Sequence, residues 1–115
     1  MAEYRAGARQ REAERQAALD ERFQRAWEVA RQGAEILKSQ FQAEKVVVFG
    51  SLTDRSRFHQ RSDIDLAAWG TSEKSYLKAL GRVMDVTSEF MVDFVRIEEA
   101  RDHIRKSIER DGVEL

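Results

Sequence analysis

Val46-Val47-Val48-Phe49-Gly50-Ser51, answered after a polar loop by Ser62-Asp63-Ile64-Asp65-Leu66, decides how this chain is read. The first stretch is a continuous apolar, β-branched run that stops at two small residues. Such a run fits a strand covered on both faces. The second opens another strand, expected over Ile64–Trp69 and broken by Gly70. Side chains alternate along a strand, so Asp63 and Asp65 share one face, while Ile64 and Leu66 turn to the core.

Working outward, residues 1–42 contain no proline and are rich in Ala, Arg, Glu and Gln, which favours one long helix. Leu19, Phe23, Ala26, Trp27, Ala30, Ala34, Leu37 and Phe41 recur at steps of three and four, laying an apolar stripe along one side. The stripe fades before Leu19. Residues 1–17 are therefore expected to stand in solvent, with a docking arm for a partner as the sharper alternative. Beyond Trp69, Thr71 or Ser72 can cap a helix over residues 73–87 with Leu77, Leu80, Val83, Met84 and Thr87 on its inner side. Phe90–Val95 is expected as a third strand. Residues 98–110 form a last helix, with Ala100, Ile104 and Ile108 inward and Gly112 at a left-handed C-cap. The expected architecture is a single α+β domain over residues 1–115, with a long N-terminal helix (1–42) and a core (43–115). Its three strands carry helices packed on one face.

Composition narrows the function. The 20 Lys and Arg against 21 Asp and Glu leave a net charge of -1, so nothing pulls the chain globally toward nucleic acid or an acidic membrane. Cysteine is absent, which excludes disulfides and thiolate metal sites. No apolar stretch reaches membrane-spanning length and the N-terminus lacks a signal peptide's apolar middle, so the expected compartment is the cytoplasm.

The chemistry sits in the opening stretch. Two carboxylates on neighbouring same-face positions repel each other, and a divalent cation relieves that cost. Mg²⁺ suits them, because it takes one or two carboxylates and completes its shell with substrate phosphate oxygens. Gly50 lets backbone approach a phosphate, and Ser51 offers a hydroxyl. A helical turn beginning at Leu52 would add free amides. Each piece alone also reads blandly, as an acidic strand edge and an ordinary turn. Asp93 is a third acid in an otherwise apolar strand, where an unpaired carboxylate is costly. Should that strand pair beside the second, Asp93 joins the same cluster.

Gly50-Ser51, then Asp63 and Asp65, then the strand acid Asp93 resemble the nucleotidyltransferase superfamily of the polymerase-β type. The size resembles its minimal single-domain members, the MNT proteins, which often act as antitoxins beside a HEPN ribonuclease toxin. The resemblance covers roughly residues 44–112. The chain departs from the pattern in a loop, Leu52–Ser62, about one residue longer than the commonest family spacing, and in lacking an Arg-Gly step after the Gly-Ser pair. The resemblance implies a mixed three-stranded sheet and two Mg²⁺ ions held by Asp63, Asp65 and Asp93. It implies ATP phosphates gripped by Gly50 and Ser51, and a proton taken up by Asp93. It further implies transfer of AMP from ATP to a tyrosine hydroxyl of a HEPN toxin, without direct nucleic-acid or membrane binding. The alternatives are a catalytically idle antitoxin that acts by occlusion and a small-molecule nucleotidyltransferase. The second of these usually carries a further substrate domain.

Other residues read more simply. Arg96 and His103 match the loose Arg-to-His spacing of HEPN ribonucleases, but a strand-rich setting makes His103 a surface residue. His59 is expected in a solvated loop, and Lys74 and Lys78 on a solvated helix face. Trp69 is expected at the core or its rim rather than stacked on a base. Nothing in the sequence supports Tyr4 or Tyr76 as nucleotide acceptors.

Overall fold

A computed structural model describes residues 2–115, with side chains from Ala6 onward. Helix α1 runs Ala2–Phe41 and strand β1 Lys45–Phe49. A 3-10 turn, Gly50–Thr53, leads into the loop before β2, Ile64–Trp69. Helix α2 covers Tyr76–Met84, β3 Val92–Arg96, α3 Asp102–Asp111 and β4 Val113–Glu114. The sheet order is β3-β2-β1-β4. β1 pairs antiparallel with β2 and β4, and β2 pairs parallel with β3.

The sheet is mixed, as expected, but has four strands rather than three. β4 is two residues long, too short for any alternation to register, and it exists because α3 returns the chain to the free edge of β1. The helices also do not share one face. The residues facing α1 and α2 are Val46, Val48, Ile64, Leu66, Ala68, Val92 and Phe94. The opposite face, Val47, Phe49 and Ala67, packs on Ile97 and Ile108 with Val95, Ala100 and Ile104 alongside. This two-sided covering explains why β1 lacks polar alternation.

α1 follows its stripe. Ala26, Ala30, Ala34, Leu37 and Phe41 are buried, and Leu19, Phe23 and Trp27 pack partly against the same core. Three alanines a turn apart bring the helix backbone close to its neighbours. Residues 8–18 are exposed throughout, and the chain spans 62 Å in its longest direction. Arg25 forms a bidentate pair with Glu89 at 2.9 and 2.8 Å, and Arg55 reaches Asp20 at 2.7 Å. The helix ends where Gln42 turns left-handed at φ 58°, and the Ala43 amide bonds back to the Leu37 carbonyl at 2.9 Å.

Three local expectations are corrected. The helix expected over 73–87 contracts to a 3-10 turn at Glu73–Ser75 followed by Tyr76–Met84. Tyr76, Ala79, Leu80 and Val83 face the core. Leu77 and Met84 do not, being 79% and 40% exposed, and Thr87 lies beyond the helix. The helix expected over 98–110 is interrupted, because Ala100 and Arg101 adopt extended backbone between the turn Ile97–Glu99 and α3. Gly112 is not left-handed. Its φ is -63° and ψ 139°, and it is glycine because a Cβ there would come 2.7 Å from Val47 Cγ1 and meet the Ile108 carbonyl oxygen.

Candidate active site

Sheet pairing assembles the acidic cluster. In the antiparallel ladder Phe49 lies opposite Asp65, and in the parallel ladder Asp65 lies opposite Asp93. Asp93 therefore stands beside Asp65 on the next strand, at the same register and on the same face. Asp63 shares that face one pleat earlier, where it is exposed just before β2. The face is the one α3 covers further along. Ala67 and Val95, the next residues in each row, already pack against α3. The carboxylates thus occupy the part of that face which α3 leaves open.

Gly50 closes the cluster from the β1 side. Its φ is +81°, and a Cβ on it would lie 2.6 Å from Asp65 Oδ2. The glycine is required twice, by its left-handed backbone and by the carboxylate seated against it. The turn that begins there is pinned by the Thr53 hydroxyl, which donates to the Gly50 carbonyl at 2.8 Å. Ser51 is half-buried in the same turn.

The charges disturb each other. Burial first, and then the charges of Asp93 and Asp63, push the Asp65 carboxyl up to about 6. Among the described residues, no cationic side chain pairs with half-buried Asp65 to offset either effect. Asp93 Oδ1 accepts from the Phe94 amide at 3.0 Å. The Tyr76 hydroxyl donates to the Phe94 carbonyl at 2.6 Å, with its ring stacked on Phe94 at 5.2 Å. Burial, then Asp93 and Glu99, raise the Tyr76 hydroxyl above its usual value. Among the described residues, no three acidic or histidine side chains close into a preformed metal cage. The donor set is oxygen only and partly open. It fits a hard cation that draws several ligands from substrate and water, as Mg²⁺ does, better than one needing a complete protein shell.

The remaining candidates lie apart. His59 is a loop residue whose Nδ1 accepts from the Arg61 amide at 3.1 Å. His103, Lys74 and Lys78 are exposed. Trp69 is half-buried at the rim, with Lys45 Nζ 4.8 Å from its ring centre. The Tyr4 side chain lies outside the described residues. Sequence reasoning weighed Tyr76 only as a nucleotide acceptor and set it aside, because its place beside Asp93 depends on how α2 packs across β3, which no local pattern announces.

The family model described as polymerase beta, nucleotidyltransferase matches residues 32–115. The chain belongs to this family. Among curated proteins none matches it in sequence. Several solved structures share the nucleotidyltransferase fold. One, a toxin–antitoxin complex with AMP-PNP, aligns with TM-score 0.59 and 18% identity over 70% of this chain and 67% of the other. A mutant MntA–HpeT toxin–antitoxin complex aligns with TM-score 0.62 and 15% identity over 74% and 70%. A third is a tri-AMPylated Shewanella oneidensis HEPN toxin in complex with MNT antitoxin. It aligns with TM-score 0.58 and 14% identity over 77% and 70%. At these identities the likeness is one of fold. Among the described residues no helix is long and apolar enough to cross a membrane.

Proposed function

We propose that this nucleotidyltransferase is an antitoxin that transfers AMP from ATP to a tyrosine hydroxyl of a HEPN-type toxin, with the cytoplasm as its place of work. The observation that carries the reading is the register pair Asp65 and Asp93 beside left-handed Gly50. Complexes of the same fold supply the partner class, one containing AMP-PNP and another an AMPylated toxin.

In this reading the Gly50 backbone and the Ser51 hydroxyl grip the β- and γ-phosphates. Asp63, Asp65 and Asp93 hold two Mg²⁺ ions. When bound, Mg²⁺ supplies charge stabilisation for the attacking oxygen and the pyrophosphate leaving group. Asp93, outermost of the three, faces the acceptor and takes up the phenolic proton. The phenolic oxygen bonds to the α-phosphorus as the bond to the bridging oxygen of pyrophosphate breaks. The products are O-adenylyl-tyrosine, pyrophosphate and a proton. AMP on the toxin adds bulk and negative charge, which opposes RNA binding there.

The test incubates the protein with α-labelled ATP, Mg²⁺ and a HEPN-type toxin protein. Label on the toxin that is lost in Asp63→Ala with Asp65→Ala supports the reading. Neutralisation that survives that double change without any transfer means occlusion instead. Label moving to a small molecule but never to the toxin would identify a small-molecule transferase.

A further inference from the structure

A cavity lies against the outer side of β3, lined by Tyr76, Val95, Glu99, Ala100, His103 and Ile104 together with Arg96 and Arg101. Its volume is about 390 Å³. Val95 is the next same-face residue after Asp93, so the cavity begins about 7 Å along the strand from that carboxylate. We propose that this cavity receives the aromatic side chain of the acceptor protein and presents its hydroxyl to Asp93. The inference rests on the adenylyl-transfer reading above and names the subsite that reading leaves open.

The sheet order sets the direction. Gly50 and Ser51 follow β1, Asp65 lies on β2, and Asp93 on β3 at the edge. A triphosphate on the Gly50 turn enters from the β1 side. The acceptor must then arrive beyond Asp93, where the cavity is.

The lining suits a flat, amphipathic side chain. Val95, Ala100 and Ile104 belong to the apolar layer under α3 and make the floor. The inward polar groups of the wall, Arg96 and the Tyr76 hydroxyl, are already engaged. Arg96 Nε donates to the Thr71 carbonyl at 2.9 Å, and Arg96 Nη1 pairs with Glu99 at 2.8 Å. The Tyr76 hydroxyl is held by the Phe94 carbonyl. Among the described residues Arg101 and His103 make no ion pair, and both are exposed at the mouth. They can meet backbone carbonyls or acids of an incoming partner.

The edge of β3 also argues for a side chain rather than an added strand. The Phe94 amide is taken by Asp93 and its carbonyl by Tyr76. A pairing strand would have to displace both.

The experiment compares wild type with Ala100→Trp, which fills the floor, measuring KM for ATP and for the acceptor protein separately. The expected result is a rise of roughly 10-fold to 100-fold in the acceptor's KM with the ATP KM unchanged. Leu77→Ala, on the exposed side of α2 and outside the cavity, should stay near wild type. A risen ATP KM with an unchanged acceptor KM would make this a base pocket and overturn the proposal. In case the Trp variant does not fold, methyl NMR of the wild type reads the same question. N-acetyltyrosinamide should shift the Val95 and Ile104 methyl signals, whereas shifts with ATP alone overturn the assignment. Absence of any transfer by wild type defeats the parent reading, and the methyl titration then still decides whether the cavity takes a phenol.

Discussion

The two faces of the sheet are built to different ends. Toward α1 and α2 the strand residues Val46, Val48, Ile64, Leu66, Ala68, Val92 and Phe94 are apolar and buried. Toward α3 the apolar layer is thinner, and it stops where Asp63, Asp65 and Asp93 begin. The first face gathers apolar side chains and no carboxylate from these strand residues. The second keeps like charges side by side, with one of them half-buried. Carboxylates gathered this way are unfavourable in the unliganded fold, and that cost is what a cation and a phosphate chain would relieve. One layer of the sheet thus supplies stability and the other spends some of it on a site.

The sharpest way to break this contrast is to remove the acids. Asp63→Ala with Asp65→Ala should lower nucleotidyl transfer by roughly 10³-fold or more while leaving a folded protein. Labelled transfer and a thermal melt on the same sample check both halves. On the other face, Leu37→Ala empties a fully buried position and should cost about 3 kcal/mol. Denaturant titration should register that loss, while KM for ATP measured on the folded protein stays put.

Gly50→Ala tests the hinge between the two. It forces a side chain into a left-handed position and against Asp65 Oδ2. The expected cost is about 1–2 kcal/mol of stability, with a large drop in transfer because the carboxylate must move. Should activity survive, the seating of Asp65 against Gly50 is not needed for catalysis.

The pH dependence sharpens the contrast further. Asp65 sits at about 6 in the fold against an ordinary 3.8. Between those values the native state holds a proton that the unfolded chain has released. The cation-free fold should therefore gain stability as pH falls through about 6, with the gain complete by about 3.8. Asp65→Asn should abolish this dependence. It should also stabilise the cation-free protein above about pH 7 by about 1 kcal/mol, a figure discounted for the solvent-facing part of the side chain. Melts in a chelator across that range decide it. The smallest effect belongs to the end of α1. Gln42→Gly relieves a left-handed non-glycine and should add about 0.5–1 kcal/mol without touching transfer.

What the chain's order of residues determined alone was everything with a short period. The α1 stripe, the identity of β1 and β2, and the common face of Asp63 and Asp65 follow from repeats of 3.6 and 2, which local backbone geometry imposes. The Gly50-Ser51 and aspartate spacing also pointed to the family. Tertiary structure alone decided what depends on which elements meet. It supplied the parallel pairing of β3 with β2, which has no local signature and on which the expected place of Asp93 beside Asp65 depended. It turned Leu77 and Met84 outward, because α2 ends early and packs through Tyr76, Ala79, Leu80 and Val83. It gave Gly112 its reason in Val47, a residue far away in sequence, and it placed Tyr76 beside the acids. Periodicity is written along the chain, but contact between distant strands is written only in how their surfaces fit.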